Sequence, residues 1–264
     1  MGYFLLYESM LDTVLFARDK FLRPVTGIML PDKAVLYMCG IEDGHYKSDK
    51  IDFWDDVYGF DMSVIKDIAL SEPLVDSVDG RSVMSDVKPV LSLDILTCTK
   101  VSAAAAAATS PITAIMTSTR HRSIKLTRHT HLPTHVCYLV HVCFLLLRLF
   151  CTQADLSFKT DFTLRAFRQD YCNAFCGFFE CAFTQIHKPV VFSTSPTATY
   201  THWKQTVFYL EEPLTMKQDE TVTATITCAP NSANARDLDI AIDYRYYIAY
   251  DIICSPLKIP MLQA

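Results

Sequence analysis

The sequence predicts a mainly β fold, an antiparallel barrel or sandwich with one N-terminal helix and a helical arm that interrupts the strands. Three observations predict it. Short runs of β-branched and aromatic residues recur between clusters of turn residues. One stretch near the start spaces its apolar residues as a helix does. Residues 54–63 are aromatic and acidic, out of keeping with a core strand, and read as a protruding contact element. With 264 residues, 50% of them hydrophobic, the chain is long enough for one large domain or a domain with appendages.

The elements follow in order. Ser9 stands where a helix N-cap is expected, and the helix runs through Phe21. Met10, Val14, Leu15 and Phe21 can share one side, leaving Asp12, Arg18, Asp19 and Lys20 to solvent. Pro24 and Gly27 stop it. Residues 34–39 are a buried-strand run. Residues 54–63 lead into a helical stretch at 64–70, which Pro73 ends. Residues 171–183 read as one aromatic strand, and Val191-Phe192, 206–210 and 221–227 as further strands. The turn clusters 193–196 and 229–232 separate them. Residues 256–260, with Pro256 and Pro260, read as an exposed tail.

Composition narrows the function classes. A net charge of −5 does not suit a nucleic-acid binder. The N-terminus has no basic region, and Glu8 breaks its apolar run, so no secretory signal is expected. Leu6 stands where a myristoylation signal needs Ser or Thr. The ten cysteines are then reduced thiols packed as small hydrophobes, in the cytoplasm, the nucleus or both. Cys172, Cys176 and Cys181 lie in one aromatic strand without a second pair or His partners, so no metal is expected there. The glycines at 2, 27, 40, 44, 59, 80 and 177 form no Gly-x-Gly pair, so no nucleotide-binding loop is expected either.

Residues 101–153 differ from everything around them. They hold no Asp or Glu, five Lys or Arg and five of the eight His. Against the whole chain's −5, the rest therefore carries −10. His129, His131 and His135 could ligate a metal, and the basic part could touch nucleic acid. Residues 136–150 are apolar but hold His141 and Arg148 and fall short of the ~20 residues needed to span a membrane. The preferred reading is a translated intron. Val101 after Lys100 is compatible with a GT donor after AAG, and the stretch ending at Gln153 with a pyrimidine tract ending in CAG. The domain plan is then 1–21 as a site loop and linking helix, 22–100 as the first part of the β domain with an arm at about 53–75, 101–153 as a foreign insertion, and 154–264 as the second part.

Two strings carry a resemblance: Gly2-Tyr3-Phe4-Leu5-Leu6-Tyr7-Glu8-Ser9-Met10-Leu11 and Tyr200-Thr201-His202-Trp203-Lys204-Gln205-Thr206. Shorter blocks at 31–37, 57–63, 72–76 and 192–196 lie between them in order. Together they resemble the arginine-binding half of type I protein arginine methyltransferases, over about residues 1–100 and 154–240. The resemblance implies transfer of methyl from S-adenosylmethionine to arginine-rich, histone-like proteins, giving asymmetric dimethylarginine. Glu8 matches the second glutamate of the family's two-glutamate loop and is the catalytic candidate. A substrate guanidinium is planar, always charged and a fork of donors. A carboxylate pairs with it bidentately and draws its charge to one side. On its residues alone, Glu8 is also simply an acid in a helix's first turn.

Tyr3 and Met10 match residues that line the pocket and crowd the target nitrogen. His202 and Trp203 match the loop that closes the pocket, where Trp203 offers a flat wall. Trp54, Tyr58, Phe60 and Met62 match the family's dimerisation arm, which implies a homodimer. Residues 236–240 match its last strand. The family's first glutamate would precede Met1, and its S-adenosylmethionine site has no counterpart in this sequence. The chain is therefore expected to carry the substrate-binding and dimerisation half and to be inactive alone. The alternative is a non-enzymatic interaction module or an incomplete gene model.

Overall fold

The structure, a computed structural model, describes residues 2–98, 156–248 and 251–260, with only the backbone given for 247, 248 and 251–260. The expected insertion, 101–153, lies outside the described residues, as do His129, His131 and His135.

A short turn at Tyr7–Ser9 leads into α1 (Met10–Phe21). Then come β1 (Lys33–Ile41), α2 (Gly44–Lys50), α3 (Ser63–Ser71), β2 (Leu74–Asp76) and β3 (Lys88–Asp94). From residue 156 on follow β4 (Phe158–Arg165), β5 (Asp170–Phe183), β6 (Val190–Ser193), β7 (Gln205–Met216), β8 (Thr221–Pro230), β9 (Leu238–Ile248) and β10 (Asp251–Pro260). One sheet runs β2-β7-β5-β1-β3 with β6 also on β5, and the other runs β10-β9-β8-β4. Every strand pair among the described residues is antiparallel. The mainly β expectation with one N-terminal helix holds. Of its two forms, the sandwich is the one formed, because the sheets do not close into a barrel.

Burial explains the patterns. β4 alternates strictly, with Phe158, Thr160, Phe162 and Leu164 inward and Lys159, Asp161, Thr163 and Arg165 outward. β5 is buried along its middle on both faces. One face joins the core between the sheets through Cys172, Phe175, Phe179 and Cys181. The other, with Ala174, Cys176 and Phe178, joins a smaller core that includes Cys39, Ile41, Ile51 and Tyr209. Cys176 thus faces away from Cys172 and Cys181, and the three thiols do not converge. Burial pushes the Cys172 and Cys181 thiols up to about 12, which suppresses thiolate chemistry.

Three sequence expectations are corrected. Ser9 does not cap α1 with its side chain: its hydroxyl donates to the carbonyl of Ala235. Glu8 and Ser9 both adopt left-handed φ, 72° and 53°, so the approach to α1 is set by that anchor. The buried side of α1 is accordingly Leu11, Leu15 and Arg18, while Met10 and Phe21 are 47% and 70% exposed. Arg18, expected in solvent, donates from Nη1 to the carbonyls of Ile95 at 2.7 Å and Cys98 at 2.6 Å. Its stem packs while its head satisfies the end of β3. Finally, 256–260 is not a tail but part of β10, paired with β9 from Asp251↔Ile248 to Pro260↔Asp239.

β3 and β4 flank residues 95–157. Asp86 N donates to Arg165 O at 3.0 Å, and Thr160 Oγ1 donates to Val90 O at 2.7 Å. These bonds run β3 and β4 past each other in opposite directions, so the end of β3 lies near the start of β4. Removing 101–153 shortens their connection from 63 residues to 10. Counted as loop closure alone, that is worth about 1.5 kcal/mol, and it also removes the apolar run 136–150. A chain lacking 101–153 is expected to keep the fold and to melt higher in calorimetry. A lower melting temperature would make the segment an integral part of the fold.

Candidate arginine-binding site

The N-terminal string folds tightly upon itself. Phe4 and Leu5 have φ of 52° and 63°, and Leu6 N donates to Phe4 O at 2.7 Å. A Cβ at Gly2 would overlap the Tyr7 carbonyl, so only glycine fits there. With Glu8 and Ser9, four of the six residues from Phe4 to Ser9 are left-handed and none is glycine. Such strain persists only where the surroundings over-determine it. The surroundings do so here, since Phe4, Leu5, Leu6 and Tyr7 are all buried in the intersheet core.

Phe4 lies on Gly177 of β5, where a Cβ would collide with its ring, and meets Phe208 edge-on at 5.6 Å. Two residues along β5, Phe179 meets Trp203 edge-on at 5.9 Å. Trp203 also stacks on Phe192 at 5.4 Å. Gly177 and Phe179 point to one face, about 6.6 Å apart along the strand. The N-terminal string and the β6–β7 loop are thereby seated side by side. His202 lies beside Trp203, ring centroids 4.0 Å apart, and is exposed.

The loop leaves at a seam. β5 pairs with β7 along Asp170 to Gly177 and with β6 along Glu180 to Phe183. Thr194 bridges between, exchanging bonds with Phe179: its backbone N donates to Phe179 O, and Phe179 N donates to its Oγ1, both at 2.9 Å. Gln205 Nε2 donates to Thr194 O at 2.7 Å, tying the two ends of the loop together. Lys204 closes it, with φ 50° and Nζ donating to Asp76 Oδ1 at 2.9 Å. That bond holds the Asp76 carboxyl below the usual carboxylate range and pushes Lys204 up. Tyr200 and Tyr3 add slightly to the push on Lys204.

Glu8 is held from a third direction. Its backbone N donates to Arg236 O at 2.9 Å, and its Oε1 meets Arg236 Nη2 at 3.4 Å. Arg236, expected in the last strand, sits instead in the turn before β9, beside the buried Asp237. Tyr3 is partly exposed, its ring 6.3 Å from that of Tyr7, and Met10 opens α1.

The other expected residues lie elsewhere. Trp54, Tyr58, Phe60 and Met62 belong to the stretch between α2 and α3. There, Val57 and Phe60 bridge across a turn made by left-handed Tyr58 and Gly59. Tyr58 is 91% and Phe60 72% exposed, an apolar surface that needs a reason. Lys66 braces it from α3, 3.0 Å from Asp52 and 2.6 Å from Asp55.

Residues 32–138 and 113–247 match the arginine methyltransferase oligomerization subdomain. The chain belongs to the type I protein arginine methyltransferase family. It corresponds to the C-terminal half of that family. It is 44% identical over 246 residues to protein arginine N-methyltransferase 1 of Chlamydomonas reinhardtii, covering 93% of this chain and 56% of that one. To the Caenorhabditis elegans protein of the same name it is 42% identical, covering 93% and 55%. The chain thus spans about half the length of the curated relatives it matches. Among solved structures, it resembles the Trypanosoma brucei PRMT1 enzyme-prozyme heterotetrameric complex with AdoHcy, with a TM-score of 0.76 and 33% identity over 99% of this chain and 66% of that one. Arabidopsis thaliana protein arginine methyltransferase 10 shares the fold at a TM-score of 0.65 and 18% identity, covering 99% and 68%.

Sequence reasoning missed Asp76, Thr194, Gln205 and Arg236 as parts of the site's frame. Asp76, Thr194 and Gln205 lie inside matched blocks, where a role was within reach. Arg236 reaches Glu8 across 228 residues, and no local pattern signals it.

Gly177→Ala is expected to drive the Phe4 ring off β5 and destabilise the chain by about 1–3 kcal/mol. Hydrogen exchange should rise first across residues 2–9. Unchanged melting with unchanged exchange there would mean that Phe4 does not rest on Gly177.

Proposed function

We propose that this chain is the substrate-binding and self-associating half of an S-adenosylmethionine-dependent protein arginine methyltransferase, acting in the cytoplasm or nucleus. The observation that carries this reading is the seating of Phe4 on Gly177 and of Trp203 on Phe179, which gathers the Glu8 string and the His202–Trp203 loop at one face. Glu8 would hold the substrate guanidinium and draw its charge toward the carboxylate, leaving the far nitrogen free to attack. Trp203, braced from behind by Phe179 and Phe192, would give the guanidinium plane a wall that does not yield. Arg236 engages only Glu8 Oε1, and loosely, so a bidentate guanidinium could displace it. Tyr3 and Met10 would crowd the mouth, and His202, with Trp203, would close the pocket. The −10 charge outside 101–153 would steer arginine-rich targets to the site.

We take the S-adenosylmethionine site to lie outside the described residues. Nucleotide cofactors favour the crevice at the carboxyl ends of parallel strands, and every described pair is antiparallel. On this reading the donor is bound by a separate segment, for which the relatives' greater length leaves room. A second reading, an interaction module that docks on a longer relative, is favoured by the exposed Tyr58 and Phe60 of the arm.

The chain alone, given S-adenosylmethionine and a glycine-arginine-rich peptide, is expected to form no methylarginine detectable by mass spectrometry. Fused behind a relative's donor-binding half and lacking 101–153, it is expected to methylate that peptide. In that fusion Glu8→Gln should slow single-turnover transfer roughly 100-fold with melting unchanged. Trp203→Ala should weaken peptide binding by about 1–2 kcal/mol. Near-normal turnover in the Glu8→Gln fusion would remove Glu8 from the assignment, and a folded but inactive parent fusion would favour the interaction module.

A further inference from the structure

One carboxylate, Asp76, joins the root of the arm to the loop that carries Trp203. Asp76 ends β2 and lies opposite Gln205 in the ladder. Its Oδ1 accepts from Lys204 Nζ at 2.9 Å and from the backbone N of Ser77 at 2.8 Å. Its Oδ2 accepts from the Tyr46 hydroxyl at 2.9 Å. Tyr46 belongs to α2, which runs directly into the arm stretch at Asp52–Asp55. Lys204 N donates to Thr201 O at 3.1 Å, which closes the turn holding His202 and Trp203. The path from the arm's root to the aromatic wall is therefore Tyr46, Asp76, Lys204, then the turn itself.

The bonds fit the task. Lys204 keeps a left-handed φ although it is not glycine, so its side-chain tie to Asp76 offsets local strain. Gln205 reinforces the same point, since Val78 N donates to its Oε1 at 2.8 Å while its Nε2 holds Thr194. Around them, Asp43 accepts from the Tyr209 hydroxyl at 2.8 Å, and Lys47 reaches the Glu211 carbonyl at 2.7 Å. α2 is thus fixed to β7 by polar bonds at several points, and Asp76 is the one that also grips the pocket loop.

We propose that Asp76 is a positioning residue for the arginine site: it sets the Lys204 turn that aims Trp203, and through Tyr46 it couples that aim to the root of the arm. The consequence for catalysis rests on the reading of Trp203 as the pocket wall; the coupling itself does not. Contact with a partner at the arm would then tighten or loosen the wall without touching it, provided α2 moves with the arm.

The chain holds two tryptophans, Trp54 in the arm and Trp203 in the loop, so each reports one end of the path. The full chain labelled with fluorotryptophan gives two fluorine resonances, which Trp203→Phe assigns. Asp76→Asn is expected to shift the Trp203 resonance by more than its linewidth with unchanged far-ultraviolet circular dichroism. Lys204→Met should move it in the same direction, and it decides the matter should Asp76→Asn fail to fold. Tyr46→Phe, which leaves both loop residues in place, should produce a smaller shift of the same sign. Combined with Asp76→Asn it should add nothing, because one path serves both. A Trp203 resonance unmoved by Lys204→Met and by a folded Asp76→Asn overturns the positioning role. An additive effect of Tyr46→Phe overturns the link to the arm. Neither readout depends on methyl transfer, so an inactive enzyme and an absent coupling are told apart.

Discussion

The bare backbone at Gly177 is the constraint on which the site depends. β5 is buried on both faces and has little room to adjust, since a densely packed interior transmits any added volume to its neighbours. A single missing side chain in the middle of that strand creates a slot one ring wide, and Phe4 fills it. Once Phe4 is seated, Gly2 to Tyr7 must coil in the little space left, and Glu8 emerges at a fixed point with a backbone conformation it would not choose alone. The large neighbour two positions on, Phe179, then gives Trp203 its support. Glycine and phenylalanine on one face make a small-large step that sorts the two halves of the site into adjoining places.

Strain and restraint are distributed around this step. Of the eight left-handed non-glycine residues among those described, Phe4, Leu5, Glu8, Ser9 and Lys204 lie in the site or against it, and Val25, Tyr58 and Asp219 lie elsewhere. Each of the five at the site is met by an anchor from a distant part of the chain: core burial for the first two, the Ala235–Arg236 carbonyls for Glu8 and Ser9, and Asp76 for Lys204. The sandwich supplies these anchors because antiparallel connections return the chain repeatedly to the same end. None of the anchoring bonds is individually strong in water. Their effect comes from closing several short loops onto one rigid strand.

Several long elements were legible in the residues, although β10 reads there as a tail and the strictly alternating β4 is not singled out. β1, β5, β7 and β8 announce themselves by β-branched and aromatic runs, and α3 by its spacing and by Pro73. β2 was not legible because three residues carry no period. α2 was not legible because it opens on Gly44 and holds no apolar stripe, its helix being secured by tertiary bonds such as Lys47 to Glu211. The burial of Arg18 escaped the pattern for a related reason: a charged residue reads as exposed until the carbonyls it satisfies are known. At the site the strings were conspicuous, and they rest on neighbouring positions of β5, Phe4 on Gly177 and Trp203 on Phe179. The frame that holds them was invisible, because it consists of pairs such as Glu8 with Arg236 that lie far apart in the chain.

The outer strand of the second sheet has a consequence for how copies of the chain meet. β10 lies at the edge, and Pro256 and Pro260 share its parity, so both of their hydrogen-free nitrogens are directed to the same side. A strand keeps its ladder with such residues when that side is the open one. Those are also the donors an incoming strand would require, so the border is blunted against runaway stacking of sheets. Lateral fibre growth along this border is thereby discouraged, and the sociable surface of the molecule is left to its aromatic projection.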